Sequence, residues 1–113
     1  MAVQQQIPGL NRTDLQEHDL SARGREVIQH RVEISPEAAP IRHSHPGEEI
    51  IYVLEGSLEY EVDGRPPTTV DAGEVFFVPA ATVHAVKNVG SGIGVELATY
   101  VVEKGKPLFE VAR

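Results

Sequence analysis

The sequence predicts an all-β domain, a sandwich or barrel of antiparallel strands with little helix. Short segments in which apolar and polar residues alternate recur along the chain, and Gly, Pro, Asn and Asp separate them. No long segment has the apolar periodicity of a helix. Short strands at turn-marked intervals are typical of β-sandwiches and β-barrels.

Length, charge and cysteine content limit the possible functions. The 113 residues are enough for one domain. The formal charge of −7 argues against nucleic-acid binding, since no basic patch is available for phosphates. The absence of cysteine excludes disulfides and thiolate chemistry. We expect a cytoplasmic protein without membrane contact, because no signal peptide and no run of about 20 apolar residues is found.

Residues 1–24 differ from the rest of the chain and are interpreted as an N-terminal arm. They are polar and mixed, with Pro8-Gly9 and Gly24 as turn signals. A short helical turn over 13–20 is conceivable, and His18 is expected to be exposed. The β domain then spans residues 25–113.

The strand pattern begins at Arg25. Over 25–34, apolar positions alternate with polar ones, and His30 falls on the apolar face. We favour a packed His30 over a metal ligand, without excluding the ligand. Asp63-Gly64 predicts a hairpin turn, and Pro66-Pro67 make the start of the following strand an edge or an irregular piece. Further strands are predicted at 50–55, 57–62, 74–78, 82–87, 93–103 and 108–111.

The clearest chemical signal is the stretch His43-Ser44-His45-Pro46-Gly47-Glu48-Glu49. Histidines at i and i+2 of an extended strand leave the same face. Two imidazoles and a carboxylate are suitable ligands for a divalent transition metal. His84 is the natural fourth ligand if later strands fold back against this one. The pattern alone leaves a metal site and ordinary histidines both open.

These residues belong to a longer pattern that resembles the two motifs of the cupin superfamily. The first motif is matched by His43, His45, Glu49 and Gly56. The second motif is matched by Gly73, Pro79, His84 and Asn88. The motifs are separated by residues 57–72, a short spacing like that of small bacterial single-domain cupins. The resemblance extends over 37–88.

Two positions depart from the family pattern. Glu37 stands where the first motif has its leading glycine, and Ala81 where the second has a glycine after its proline. A positive φ is unfavourable for alanine, so we expect a different turn type at Ala81. Neither position is a ligand.

The resemblance implies a cupin jelly-roll barrel in which His43, His45, Glu49 and His84 bind one divalent metal. Iron, manganese, nickel, zinc and copper all occur in the family, and the ligand types do not choose among them. The implied function is a small metalloenzyme acting on a small oxygenated molecule, with a dioxygenase-type oxidoreductase ranked first. Alternatives are a metal-dependent isomerase, lyase or decarboxylase, and a non-catalytic binding or sensing protein. Small cupins commonly form homodimers, which we also expect here.

Additional residues are candidates for acid–base chemistry. Glu49 is a possible base, and Tyr60, on the inward face of its strand, is a weaker candidate. Tyr52, Glu96 and Tyr100 are weaker still. For all three tyrosines we prefer simple packing, and for Glu96 a surface carboxylate, over a role in catalysis.

Strand parity also predicts the wall of the substrate pocket. Its expected apolar residues are Ile41, Ile51, Val53, Val75 and Phe77. Arg42 is the only arginine in the ligand strands, and its parity directs it away from the site. We therefore expect no strongly anionic substrate, which would need a cationic partner.

Overall fold

The structure is a computed structural model that describes residues 7–113, so the first six residues of the predicted arm lie outside the described residues. Two five-stranded sheets face each other, with strand orders β1-β2-β9-β4-β7 and β10-β3-β8-β5-β6. All neighbouring strands are antiparallel. The all-β prediction is confirmed, and within 7–113 there is no helix.

The strands follow the predicted segments closely. In chain order they are β1 (Leu10–Asp19), β2 (Arg25–Ile34), β3 (His43–Ser44), β4 (Gly47–Glu55), β5 (Ser57–Val62), β6 (Thr68–Asp71), β7 (Val75–Val78), β8 (His84–Asn88), β9 (Gly94–Glu103) and β10 (Glu110–Val111). The β6 strand lies at a sheet edge, as predicted, and β10 lies at the other edge of the same sheet. No helix among the described residues is long and apolar enough to cross a membrane.

The N-terminal segment is part of the first sheet. The suggested helical turn over 13–20 is wrong, because these residues belong largely to β1, which pairs with β2 from Leu10↔Ile34 to Asp19↔Glu26. The β2 strand is bonded to β9 on its other side, and β1 satisfies the backbone groups that β2 would otherwise expose. The intrinsic preference of this segment for helix or strand is weak. Pairing with the free edge of β2 therefore determines that the segment forms a strand.

The core lies between the two sheets and is built from the inward positions of the strands. Its largest fully buried side chains include Tyr60, Ile34, Ile51, Leu58 and Val53. Alternation along β2 buries Val32 and Ile34 in the same way, as its sequence predicts.

His30 is also buried, and it packs at the side of the core. Its ring lies edge-on to Tyr100, with the centroids 5.5 Å apart, and its Nε2 is 3.2 Å from Asp14 Oδ1. Burial lowers the pKa of His30, which keeps the ring neutral. The packed role favoured from the sequence agrees with these contacts.

The loop between β7 and β8 contains a strained backbone position. Ala81 has φ +56°, and it is the only non-glycine residue with positive φ among residues 7–113. The expectation of a different turn type at Ala81 is therefore wrong, since the left-handed conformation is kept with alanine in place of glycine. A hydrogen bond from Ala81 N to His45 O, 3.1 Å long, ties this corner to the histidine segment.

Candidate metal centre

Two of the predicted ligands face each other across neighbouring strands. His43 on β3 is directly paired with His84 on β8, and the ring centroids are 4.3 Å apart. His84 is only 3% exposed, whereas His43 is partly buried. The antiparallel register brings together two histidines that are separated by about forty residues of sequence.

The remaining two predicted ligands complete the group. His45 follows β3, and Glu49 projects inward from β4 of the opposite sheet. Glu49 Oε1 lies 3.3 Å from His45 Nε2 and 3.1 Å from His84 Nε2. The potential ligand atoms of His43, His45 and His84 all lie within 4.8 Å of one another, so the three histidines could hold a metal ion.

Backbone carbonyls orient all three imidazoles. Nδ1 of His43, His45 and His84 lies 2.7, 2.7 and 2.9 Å from the carbonyl oxygens of Ile41, Leu108 and Thr82. A carbonyl only accepts hydrogen bonds, so each Nδ1 carries the hydrogen and Nε2 is left as the lone-pair donor. Metal-bound histidines are typically held in this way.

The region between the imidazoles and the carboxylate suits a cation. His45 Nε2 is buried and has no hydrogen-bond partner, although Glu49 Oε1 is close. A neutral Nε2 and a carboxylate oxygen are both acceptors, and they cannot satisfy each other directly. A divalent ion bound to both would satisfy them, so the donor set fits a metal.

The electrostatics show that the carboxylate of the cluster attracts positive charge. Burial, helped by the neighbouring His84, lowers the pKa of His43 to about 4, which keeps this imidazole neutral. Burial also opposes ionisation of Glu49, but the neighbouring imidazoles of His45 and His84 outweigh burial and lower the pKa of Glu49. Burial would lower the pKa of His84, but the Glu49 carboxylate outweighs this and raises it.

A narrow cavity of about 40 Å³ adjoins the cluster. Both sheets and the two ends of the described chain form its wall, and Phe109 stacks on His43 with ring centroids 4.5 Å apart. Because Leu108 and Phe109 follow a predicted turn near residue 107, no sequence pattern places them at the site. Cupin-like spacing identifies ligands and says little about the segment that covers them.

Three further polar side chains line this cavity, all of them considered from the sequence. The Tyr60 hydroxyl donates a 2.5 Å hydrogen bond to Glu96 Oε1, and both side chains are buried. Burial and the charge of Glu49 raise the pKa of Glu96 to about 8, so near neutral pH it can hold a proton. Burial and the nearby carboxylates raise the pKa of Tyr60 and Tyr100 above the usual tyrosine value.

The predicted apolar wall is only partly present. Ile41 lines the cavity, whereas Ile51 and Val53 are fully buried in the core. Val75 and Phe77 are 68% and 49% exposed, so their assignment to the pocket is wrong. The reason is the pairing register of β7 with β4, which turns these two side chains outward.

Register fixes the outward direction of β7. Val75 and Phe77 pair with the outward Tyr52 and Ile50, while Phe76 and Val78 pair with the inward Ile51 and Glu49. Parity counted from the motif residues alone was off by one position.

An arginine enters the cavity from an unexpected strand. Arg42 is exposed and bonded to Asp63, as its parity predicts. However, Arg12 of β1 lines the cavity wall, so a strand outside the ligand strands supplies a cation that the sequence reasoning missed. The arm was not expected to reach the site because its apolar periodicity is too weak to fix its course.

The comparison with known families is decided by one match. Residues 30–103, about two thirds of the chain, match the Cupin domain. The chain belongs to the cupin family. The resemblance seen in the two motifs is thereby confirmed, and its fold is that of a small cupin.

Individual cupins similar to this chain have diverse activities. Dimethylsulfoniopropionate lyase DddQ of Ruegeria pomeroyi is 38% identical over 45 residues, which cover 40% of this chain and 22% of that protein. The chain thus spans about a fifth of the length of this relative.

Two solved structures are similar over most of the chain. The polyketide cyclase RemF of Streptomyces resistomycificus has a TM-score of 0.72 at 24% identity, over 95% of this chain and 73% of that one. Oxalate oxidase in complex with glycolate has a TM-score of 0.69 at 25% identity, over 87% and 53%. Lyase, cyclase and oxidase thus share one fold, and the fold does not select a reaction.

Proposed function

We propose that His43, His45, His84 and Glu49 bind one divalent transition metal, and that the protein is a small metalloenzyme acting on a small oxygenated molecule. The observation that carries the proposal is the unpartnered, buried Nε2 of His45, which faces the Glu49 carboxylate. The carbonyl bonds to Nδ1 of all three histidines support it, since they direct lone pairs toward one point.

The bound metal would act as a Lewis acid toward substrate oxygens and leave positions open for a second molecule. The side chains around it have their own roles. Tyr60 and Glu96 form a buried donor–acceptor pair that can hold a proton next to the substrate, and Glu49 remains a candidate base. Ile41 and Phe109 give the cavity apolar walls, which disfavour water.

A dioxygenase-type oxidoreductase stays the first candidate, and the similarity to oxalate oxidase supports an oxidation reaction. A lyase is the second candidate, supported by the 38% identity to DddQ in the matched segment. Isomerase and decarboxylase activities, and a non-catalytic binding or sensing role, are the remaining alternatives. The metal itself is iron, manganese, nickel, zinc or copper, because nitrogen and carboxylate ligands accept all five.

Metal content is the first experiment. Wild-type protein, His84→Ala and the control His18→Ala are loaded with each candidate metal, dialysed and analysed by mass spectrometry of the elements. His18 is exposed and outside the cluster, so its variant should retain the wild-type metal content. We expect His84→Ala to lose at least about tenfold in metal affinity, since metal ligands contribute more than their supporting partners. Absence of metal from loaded wild-type protein would contradict the proposal.

Reaction type is tested next on the metal-loaded protein. Oxygen uptake with catechols, diketones and small hydroxy acids is expected from a dioxygenase-type enzyme. Product formation without oxygen uptake would favour the lyase, isomerase or decarboxylase alternatives. Substrate binding without turnover would favour the binding or sensing protein.

We also propose that the protein is a cytoplasmic homodimer. Its support is an apolar patch on the outer face of the first sheet, which we call the outer patch: Ile50, Tyr52, Leu54, Val75 and Phe77. Cross-strand pairs Ile50↔Phe77 and Tyr52↔Val75 make this patch continuous. Large exposed apolar patches usually mark interaction sites, and a two-fold axis would cover the patch with itself.

A further inference from the structure

Arg12 is placed in the cavity by the pairing of β1 with β2. Arg12 lies opposite Val32, and Leu10 lies opposite Ile34, both of which are buried core residues. Leu10 and Arg12 therefore share the inward face of an otherwise exposed strand. Both line the same cavity as the histidines.

The side chain of Arg12 has a buried hydrogen-bond donor without an acceptor. Its Nε is buried without a hydrogen bond. Among residues 7–113, no hydrogen bond or ion pair is found for its side chain, whereas Arg31 and Arg42 pair with Glu33 and Asp63. A buried charged donor without an acceptor is costly, so an acceptor that arrives with a ligand is the natural partner.

The charge of the cavity points the same way. Glu49 and Glu96 are the carboxylates in its wall, and Arg12 is the cation. With a divalent metal, the summed charge of the metal, Arg12 and the two carboxylates is +1 if Glu96 is ionised. The summed charge is +2 if Glu96 is protonated, the form that its raised pKa favours. An excess of positive charge in a buried cavity favours an anionic ligand in either case.

We infer that Arg12 binds the carboxylate of the substrate, and that the substrate class is small hydroxy or oxo carboxylic acids. This inference rests on the proposed metal site, which would take the second oxygen of such an acid. A guanidinium presents paired N–H donors that match the two oxygens of a carboxylate. The small cavity, about 40 Å³, favours a small acid over a bulky one.

Binding of glycolate and of glycolamide, its uncharged counterpart of similar size, tests the inference by calorimetry. Wild-type protein, Arg12→Gln, Arg12→Lys and the control Arg31→Gln are compared, each with its metal content measured. We expect Arg12→Gln to weaken glycolate binding about 10- to 100-fold, as for loss of a hydrogen bond to a charged group. Its affinity for glycolamide should stay unchanged, and Arg12→Lys should restore part of the glycolate affinity.

A second measurement separates ligand binding from a structural role of Arg12. Without ligand, Arg12→Gln should unfold at the same temperature as wild type or higher, because a buried Nε donor without an acceptor has been removed. A structural arginine would give the opposite shift. Equal glycolate affinity of wild type and Arg12→Gln, or no glycolate binding by wild type at millimolar concentration, would overturn the inference.

The same titration on metal-free protein keeps this inference distinct from the metal proposal. If wild-type protein takes up no metal, the proposed function fails, and the metal-free series alone decides the role of Arg12. Weaker glycolate binding by metal-free Arg12→Gln than by metal-free wild type then supports a carboxylate site. Equal binding refutes it.

Discussion

The two faces of β4 are both largely apolar, but their surroundings differ. On the inner face, Ile51 and Val53 are fully buried, and Glu49 is 3% exposed. On the outer face, Ile50, Tyr52 and Leu54 are 44–48% exposed. The inner face is covered by the second sheet, whereas nothing among residues 7–113 covers the outer face to the same extent.

This difference shows that a continuous apolar run does not by itself identify a strand that is covered on both faces. Strands covered on both faces have such runs, whereas a strand covered on one face alternates. The β4 strand has the continuous apolar sequence of a strand covered on both faces. Within one chain, however, it is covered on one face only. The chemistry belongs to the inner face, where Glu49 interrupts the apolar surface, and the outer face is the one available for association.

The largest expected contrast between the faces is in stability. Ile51→Ala should lower the free energy of unfolding by about 2–5 kcal/mol, since it leaves a cavity in the core. Ile50→Ala removes the same atoms from a half-exposed site and should cost less than about 1 kcal/mol. Denaturant unfolding measures both, at a protein concentration low enough to keep the chains monomeric. Similar costs for the two variants would contradict the assignment of the faces.

Much of the fold could be predicted because its signals are local. Asp63-Gly64 marks a hairpin, Pro66-Pro67 mark an edge, and alternation in β2 and β5 identifies the buried side. The N-terminal strand could not be predicted in this way, because β1 is exposed over most of its length and lacks an apolar face. Its conformation depends on the free edge of β2, which is a property of the assembled sheet.

The residues of the site likewise divide into those that local sequence predicts and those that tertiary contacts determine. The proximity of His43, His45 and His84 was expected from motif spacing, and the structure brings them together. Arg12 and Phe109 were missed, because each reaches the cavity from a chain end whose path is set by tertiary pairing. The spacing within a motif predicts the ligands, whereas long-range contacts determine which residues form the cavity wall around them.

The outer patch should respond to a charge in its centre. Phe77→Glu is expected to convert the proposed dimer to a monomer, with a dissociation constant raised at least roughly 30-fold, as for loss of an interface hot spot. Thr69→Glu is the control, because Thr69 is exposed on β6 of the other sheet. Sedimentation velocity measures the mass of each variant. A wild-type monomer, or a Phe77→Glu dimer of unchanged affinity, would refute the proposed interface.

Gly47, at the start of β4, is a position where the inner face has no space for a side chain. A Cβ there would lie 2.0 Å from the carbonyl oxygen of Val101 and 2.6 Å from Cα of Val102. Gly47→Ala must therefore push β9 away, and we expect a loss of about 1–3 kcal/mol in unfolding free energy.

A matched substitution controls for the change from glycine to alanine itself. Gly92→Ala meets no atom within 4 Å and should change stability by less than about 1 kcal/mol, in the stabilising direction if at all. If Gly47→Ala is as well tolerated as Gly92→Ala, the close packing of β4 on β9 is not present in the protein.

The smallest expected effect concerns Ala81, in the loop that connects the two sheets and precedes His84. A left-handed alanine is disfavoured by about 1–2 kcal/mol, and glycine removes that cost but gains freedom in the unfolded chain. Ala81→Gly should therefore raise the unfolding free energy by about 0.5–1 kcal/mol. Its neighbour Ala80 has no positive φ, so Ala80→Gly should lower stability by a similar amount.

Denaturant unfolding should therefore give changes of opposite sign for the Ala81→Gly and Ala80→Gly variants. Metal content should be unchanged in both variants, since the hydrogen bond from Ala81 N to His45 O is kept. A loss of stability in both would show that Ala81 relaxes out of the left-handed region, and that the corner uses another turn after all.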